Sequence, residues 1–182
     1  MRLTLQPHPD WPGDAVTGIE AEALRTARGE LELCYSVTGA VDELLMPPFT
    51  QSVRTDGLWR HTCFEAFLRA PQSDAYYELN LAPSSQWAAY HFDSYRDGMR
   101  IADIPAIAIA ASTNGGRYEM RAGLDLTALD LPTEAPWRLG LSAVIEQRDG
   151  RKSFWALAHP RGQADFHHED CFARQLPAAE PL

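Results

Sequence analysis

Apolar and polar residues alternate along much of this chain. The alternation is clearest in Glu30–Val37, Arg117–Leu126 and Trp137–Gln147. Because successive side chains of a β-strand point to opposite faces of a sheet, these stretches predict strands with one buried face. Turn-forming sequences lie between such stretches, as at Asn114-Gly115-Gly116 and Asp149-Gly150. Helical periodicity is rare, so the pattern favours β-structure.

Shorter apolar runs complete the predicted set of strands. The other predicted strands are Val16–Arg25, Thr62–Leu68, Ala75–Ala82, Ile104–Ser112, Lys152–His159 and Phe172–Leu176. Residues 1–15 are predicted to be an extended lead-in, and residues 160–170 a loop. Eight or nine short strands separated by turns favour an all-β fold, an antiparallel two-sheet β-sandwich. Because the chain shows no linker, repeat or low-complexity segment, we expect one domain over residues 1–182.

Three polar residues lie inside strands of the central stretch Leu58–Tyr95. Glu65 lies in the first strand of a predicted hairpin, and Glu78 and Asn80 lie in the second. If the two strands pair, all three side chains share one face of the sheet, opposite an apolar face. A polar cluster with aromatic neighbours predicts a binding surface at this position.

Composition and charge limit the classes of partner that the protein is expected to bind. The 182 residues carry a net charge of −9, and the arginines are scattered among acidic residues, which argues against a nucleic-acid partner. No apolar run is long enough to span a bilayer, so we expect no membrane partner. The cysteines Cys34, Cys63 and Cys171 are odd in number and far apart, and no secretory signal precedes them, so we expect a cytoplasmic location. The sequence identifies no protein partner.

Motifs for cofactors and metals are absent from the sequence. Neither a glycine-rich phosphate loop nor a zinc-type spacing of cysteine and histidine occurs, so we expect no cofactor. The only dense run of ligand-type residues is His167–Asp170. Adjacent side chains in an extended loop point apart, which favours a polar surface loop. Loop carboxylates leave a structural calcium ion as the remaining option, and the metal content stays open.

Glu65 and Glu78 also raise the question of catalysis. Two carboxylates on neighbouring strands could lie at the separation that glycoside hydrolysis requires. Either glutamate could instead pair with Arg60, Arg69 or His61. Because no residue marks one carboxylate as acid and the other as base, we expect binding rather than catalysis, and no residue is assigned a catalytic role.

Several segments together resemble a known family. WRHTCFEAFL, YYELNLAPSSQWAAYHFDSY, SFWALAHP and ADFHHEDCFA resemble the DOMON-like domains, which are related to the family-9 carbohydrate-binding modules. The resemblance covers about residues 30–175 and is strongest to the stand-alone bacterial branch called murB-like. It implies a β-sandwich.

The resemblance also implies a ligand and a site. In the sugar-binding relatives, two tryptophans clamp a terminal sugar ring above polar strand residues. Carried over, the clamp is Trp59 and Trp155, and the floor is Glu65, Glu78 and Asn80. The aromatic planes would cover the apolar C–H face of a pyranose, and the polar groups would bond its hydroxyls. Further candidate ligand-binding residues are Trp87, His61 and His159. The expected ligand is a small-molecule sugar or a glycan precursor.

A haem-binding or redox module is the alternative from another class, because some DOMON domains bind haem. Haem would require axial histidine and methionine ligands. Met46, Met99 and Met120 are the candidates, although Met120 lies in an apolar set and the other two in predicted loops.

Overall fold

The computed structural model describes residues 1–26 and 29–179. The strands are β1 (Arg2–Pro7), β2 (Val16–Arg25), β3 (Glu30–Gly39), β4 (Cys63–Arg69), β5 (Tyr76–Leu81), β6 (Trp87–Phe92), β7 (Arg100–Ile101), β8 (Ala108–Asn114), β9 (Arg117–Asp125), β10 (Trp137–Glu146), β11 (Lys152–Ala156) and β12 (Arg174–Leu176). Short 3-10 helices lie at Val41–Glu43, Leu58–Arg60 and Glu169–Cys171. Within the described ranges there is no α-helix, and no helix could cross a membrane.

The strands follow one hydrogen-bonded path. Its order is β7-β6-β5-β4-β10-β11-β1-β2-β3-β9-β8, with β12 paired to β10, and every strand pairing is antiparallel. β1 joins the two halves, because Leu5 pairs with Ile19 of β2 and Pro7 pairs with Trp155 of β11. The predicted all-β antiparallel fold is confirmed. The division into two sheets stays a prediction, since β1 pairs with both halves.

The two halves of this path face one another across an apolar core. The Phe64 ring of β4 lies 5.0 Å from that of Tyr35 on β3 and stacks at 6.0 Å on that of Tyr118 on β9. The Tyr35 hydroxyl donates a hydrogen bond of 2.7 Å to the backbone oxygen of Glu65. We call the side of β4, β5, β6, β10 and β11 that faces β3 and β9 the inner face, and the opposite side the outer face.

The alternation in β9 works as predicted. Tyr118, Met120 and Leu124 are buried in the core, while Arg117 and Arg121 are exposed. β10 differs, because all but one of its residues are buried. The reason is a second apolar layer on the outer face of the sheet. Its buried members are Phe67, Tyr76, Ala88, Tyr90, Phe92, Val144, Ala156, Phe166 and Phe172.

The structure differs from the predicted elements in several places, and two of the differences have a clear reason in the sequence. Residues 1–15 contain β1, which alternates too briefly to stand out and ends at Pro7, a residue that cannot donate to a ladder. β8 begins at Ala108 rather than at Ile104, because Pro105 likewise lacks the amide proton that pairing requires.

Candidate functional site

Glu65, Glu78 and Asn80 lie together on the outer face, as the hairpin predicted. Glu65 of β4 pairs with Asn80 of β5, and the Asn80 Nδ2 donates a hydrogen bond of 2.6 Å to Glu78 Oε1. We call these three residues the carboxylate cluster. Their exposed fractions are 3 %, 6 % and 1 %. The residues of the predicted binding surface are therefore covered, because the second apolar layer lies over this part of the sheet.

The two carboxylates are poorly provided with donors. The Glu65 carboxylate receives one hydrogen bond from the described residues, from the Ser142 hydroxyl at 3.5 Å. Burial raises the pKa of Glu65 well above its ordinary value, and the neighbouring charge of Glu78 raises it further. Burial also raises the pKa of Glu78, against the hydrogen bond from Asn80. The environment therefore disfavours two negative charges at this position.

His167 covers the cluster from the loop after β11. One ring nitrogen, Nδ1, lies 2.8 Å from the Tyr76 hydroxyl, and the other, Nε2, lies 3.7 Å from Glu78 Oε2. Burial lowers the pKa of His167 to about 4. The imidazole is consequently neutral at pH 7, so it does not neutralise Glu78 despite its proximity.

A surface cavity of about 440 Å³ opens beside His167, and we call it the Tyr95 cavity. Tyr76 and Phe172 are the buried residues of its lining, and His167 is half-buried between the cavity and Glu78. Tyr95 is 55 % exposed, and its ring centroid lies 6.5 Å from that of His168 in an edge-on arrangement. A cavity of this size, with aromatic and polar groups around it, suits a small ligand.

The turn after β6 holds Tyr95 in place. The Tyr95 hydroxyl donates to Asp165, and the Arg96 guanidinium contacts the same carboxylate at 2.8 Å. The Arg96 amide donates to the Tyr76 hydroxyl at 3.2 Å, with Arg96 in a left-handed conformation. Sequence reasoning missed Tyr95. The available signal was an aromatic residue in a polar segment that was predicted to be a loop.

Trp155 does not lie with the carboxylate cluster. It pairs with Ala143 on the inner face, is only 4 % exposed, and donates from Nε1 to the Ser153 hydroxyl at 3.0 Å. Because Glu65 points to the outer face, Trp155 cannot cover a ligand above Glu65. The expected clamp of Trp59 and Trp155 is therefore corrected on the Trp155 side.

The other two candidate tryptophans, Trp87 and Trp59, differ in their exposure to solvent. Trp87 is buried in the inner core with Trp155, so it too is a packing residue. Trp59 is 52 % exposed on the Leu58–Arg60 3-10 helix, with the Arg60 guanidinium 5.4 Å from its ring centroid. Of the three candidate tryptophans, Trp59 alone is accessible to a ligand.

The two predicted histidines have other partners. His61 Nδ1 lies 2.7 Å from Glu146 Oε2. His159 Nε2 lies 2.9 Å from the backbone oxygen of Gln6, and burial lowers the pKa of His159. Neither histidine is hydrogen-bonded to the carboxylate cluster.

The His167–Asp170 run separates as expected for a loop. His167 turns inward to Tyr76, while His168 accepts a hydrogen bond from the Asp170 amide at 3.2 Å. Over residues 1–26 and 29–179, no group of three His, Cys, Asp or Glu residues could hold a metal ion. Of the methionines considered for haem, Met120 is fully buried in the inner core and Met99 is exposed.

Comparisons with known proteins give a likeness of fold. No sequence-family model and no curated protein matches the chain. A solved structure from Bacteroides uniformis ATCC 8492, described as a putative carbohydrate-binding protein, has a TM-score of 0.68 at 13% identity and covers 94% of this chain and 83% of its own. This likeness shows that the two chains share a fold.

Two further solved structures are of a family-9 carbohydrate-binding module from Caldicellulosiruptor kristjanssonii. The complex with glucose has a TM-score of 0.47 at 11% identity and covers 87% of this chain and 76% of its own. The complex with cellotriose has a TM-score of 0.48 at 12% identity and covers 88% and 75%.

Proposed function

We propose that the protein is a non-catalytic carbohydrate-binding module whose site comprises the Tyr95 cavity and the carboxylate cluster behind it. The observation that carries the proposal is the Tyr95 cavity itself, whose lining combines an exposed aromatic ring with polar side chains and whose inner wall, Tyr76 and His167, separates it from the carboxylate cluster. The shared fold with a protein described as carbohydrate-binding supports it. A DOMON-like sandwich and a cytoplasmic location belong to the same proposal and rest on the sequence.

The site has the two kinds of surface that a sugar requires. The exposed Tyr95 ring offers an apolar plane to the C–H face of a pyranose. The lining of the Tyr95 cavity also offers polar side chains that can hydrogen-bond to hydroxyl groups, among them Ser94, His168 and Glu169. Trp59 is exposed but does not line the Tyr95 cavity, so a sugar contact at Trp59 rests on the sequence resemblance.

The affinity should be modest. Covering part of one aromatic ring contributes about 1–2 kcal/mol, and each hydrogen bond to a carboxylate about 1–3 kcal/mol. A monosaccharide should then bind in about the micromolar to millimolar range.

Calorimetric titration with a panel of monosaccharides tests the proposal. Tyr95→Ala should weaken binding about tenfold without changing the melting temperature, because the ring is not part of the core. Tyr95→Phe keeps the ring and loses the bond to Asp165, so it should retain most of the affinity. Trp11→Ala, which removes an exposed ring outside the Tyr95 cavity, is the control and should have no effect. Absence of binding at millimolar sugar, or an unaffected Tyr95→Ala, would refute the assignment.

Glycoside hydrolysis by Glu65 and Glu78 is a second candidate, which one observation favours. Both carboxyl groups have raised pKa values, and a general acid requires a raised pKa. We expect no turnover of aryl glycosides, since neither group is distinguished as acid or base. Turnover that disappears in both Glu65→Gln and Glu78→Gln would replace the binding assignment with an enzymatic one.

A further inference from the structure

The strand path ends in two edge strands, β7 and β8, which are protected very differently. β7 consists of Arg100 and Ile101, and the Arg100 guanidinium is paired with Asp93. β8 has seven residues, AIAASTN, and contains neither a charged residue nor a proline. Short length, charge and proline are the devices by which natural proteins keep a sheet edge from pairing with another chain. β8 is therefore an unprotected edge.

The backbone of β8 is paired on one side only. That side is bonded to Arg117–Gly123 of β9, and among residues 1–26 and 29–179 no strand and no further hydrogen bond reaches the other side. Six of the seven residues are exposed, and Ile109 alone is buried. The outward N–H and C=O groups are consequently available to an added antiparallel strand.

We propose that β8 is a dimerisation edge, and that its partner is β8 of a second copy of this chain. A two-fold axis perpendicular to the sheet would pass through Ala111, the middle residue of the strand, so that all seven residues of each copy pair. Ala111 would lie opposite the partner's Ala111, and Ala110 opposite the partner's Ser112. The two sheets would then continue into one another, and neither copy would keep β8 as an edge.

Charges on β9 favour a second copy as the partner. In the ladder between β8 and β9, Ala110 pairs with Arg121 and Ser112 pairs with Glu119. With Ala111 on the axis, Arg121 of each copy lies in the same row as the partner's Glu119. The two β9 strands are three strand spacings apart, about 14 Å, and only the small side chains of Ala110 and Ser112 lie between the opposite charges.

The same charges select the register. A slip of two residues in one direction would put Arg121 in the same row as the partner's Arg121. A slip of two residues in the other direction would put Glu119 in the same row as the partner's Glu119. Of these three registers, the one centred on Ala111 alone pairs the whole strand and joins unlike charges.

Sedimentation velocity on the full chain tests the dimer. An edge of seven residues makes a small interface, so we expect reversible association over about 1 to 100 μM. Ala111→Lys should weaken dimerisation about tenfold or more, because it puts like charges opposite one another on the axis, and it should leave the melting temperature unchanged because Ala111 is exposed. Ala128→Lys, at an exposed position after β9, is the control and should dimerise as the wild type does.

A wild type that stays monomeric at every concentration would overturn the inference and leave the edge to a strand of another protein. A dimer that Ala111→Lys does not weaken would place the contact elsewhere and would overturn it too.

Introduced cysteines test the register. Ala111→Cys and Ala110→Cys are compared in a Cys34→Ser background, because Cys34 is half-buried and the other two cysteines are buried. Under mild oxidation Ala111→Cys should form a disulfide-linked dimer, since directly opposite residues of antiparallel strands lie within the separation that a disulfide requires. Ala110→Cys lies opposite the partner's Ser112 and should not cross-link. Equal cross-linking of both variants, or of neither, would overturn the register centred on Ala111.

Discussion

Two regions bury charge in opposite ways. Arg25 is 7 % exposed, and its guanidinium donates hydrogen bonds of 3.0, 2.8 and 2.7 Å to the backbone oxygens of Pro132, Thr133 and Ala135. It also lies 3.6 Å from the ring centroid of Trp137. Glu65, by contrast, is just as buried and receives a single hydrogen bond of 3.5 Å.

The difference suggests a structural role for Arg25 and a binding role for the carboxylate cluster. The Arg25 guanidinium has its donors matched by carbonyl oxygens and an aromatic face, so it ties the segment before β10 to β2 and needs nothing more. The carboxylate cluster has more acceptors than the protein fills. A buried polar group that is left unmatched costs about 1–3 kcal/mol, which a ligand with donors can recover.

The largest effect on stability should come from removing Trp137, whose ring packs against the Arg25 guanidinium. Trp137→Ala should lower the free energy of unfolding by about 3–5 kcal/mol, because it creates a core cavity and removes the surface beneath Arg25. It also loses the hydrogen bond from Trp137 Nε1 to the oxygen of Pro132, at 2.7 Å. Urea denaturation measures the change. Trp59→Ala, at an exposed position, should shift stability by less than about 0.5 kcal/mol.

Removing the buried cation should have the next largest effect. Arg25→Met keeps most of the side-chain volume but removes the donors to the backbone oxygens of Thr133 and Ala135, while the Pro132 oxygen keeps its bond from Trp137, so we expect a loss of about 2–3 kcal/mol in the free energy of unfolding. Arg148→Met is the control, because Arg148 donates a bond of 2.7 Å to the oxygen of Asp42 at an exposed site. Denaturation curves that shift equally for both variants would show that burial does not determine how much an arginine hydrogen bond contributes to the free energy of unfolding.

The hairpin of the cluster was predictable from sequence, and its surroundings were not. Alternation in β4 and β5 places Glu65 and Asn80 on one face because the strand period is two and the connecting loop is short. The cover depends on pairs distant in sequence, such as Tyr76 and His167, which lie 91 positions apart. No local pattern encodes such a contact.

The face of Trp155 could not be settled from sequence either. Alternation within Lys152–His159 gives two sets of residues but does not say which set points inward. Pairing decides, because Trp155 lies opposite Ala143 and Phe154 opposite Val144 of β10. The resemblance assigned Trp155 to the clamp, and the register of β11 places it in the core instead.

The smallest expected effect on stability concerns Glu78 in the carboxylate cluster. Because the pKa of Glu78 is raised in the folded protein, the folded state holds a proton that the unfolded chain gives up, and stability falls as pH rises above the ordinary carboxyl value. Glu78→Gln removes this penalty while Oε1 still accepts from Asn80. The variant should therefore be more stable than the wild type by about 1 kcal/mol at pH 7, with the gain shrinking towards pH 5.

The pKa shift of His167 has the opposite effect on the pH dependence of stability, so its contribution must be separated from that of Glu78. Its pKa is lowered to about 4, so the unfolded chain binds the proton first and stability falls as pH drops below the ordinary histidine value of 6.5. This contribution is present in both proteins, so the difference between wild type and Glu78→Gln, measured by urea denaturation at pH 5, 6 and 7, isolates the carboxylate. The Arg25→Met difference should stay constant over the same range, because a guanidinium does not titrate there. If Glu78→Gln is less stable than wild type by an amount independent of pH, the carboxylate cluster is as fully satisfied as Arg25, and the contrast between the two regions fails.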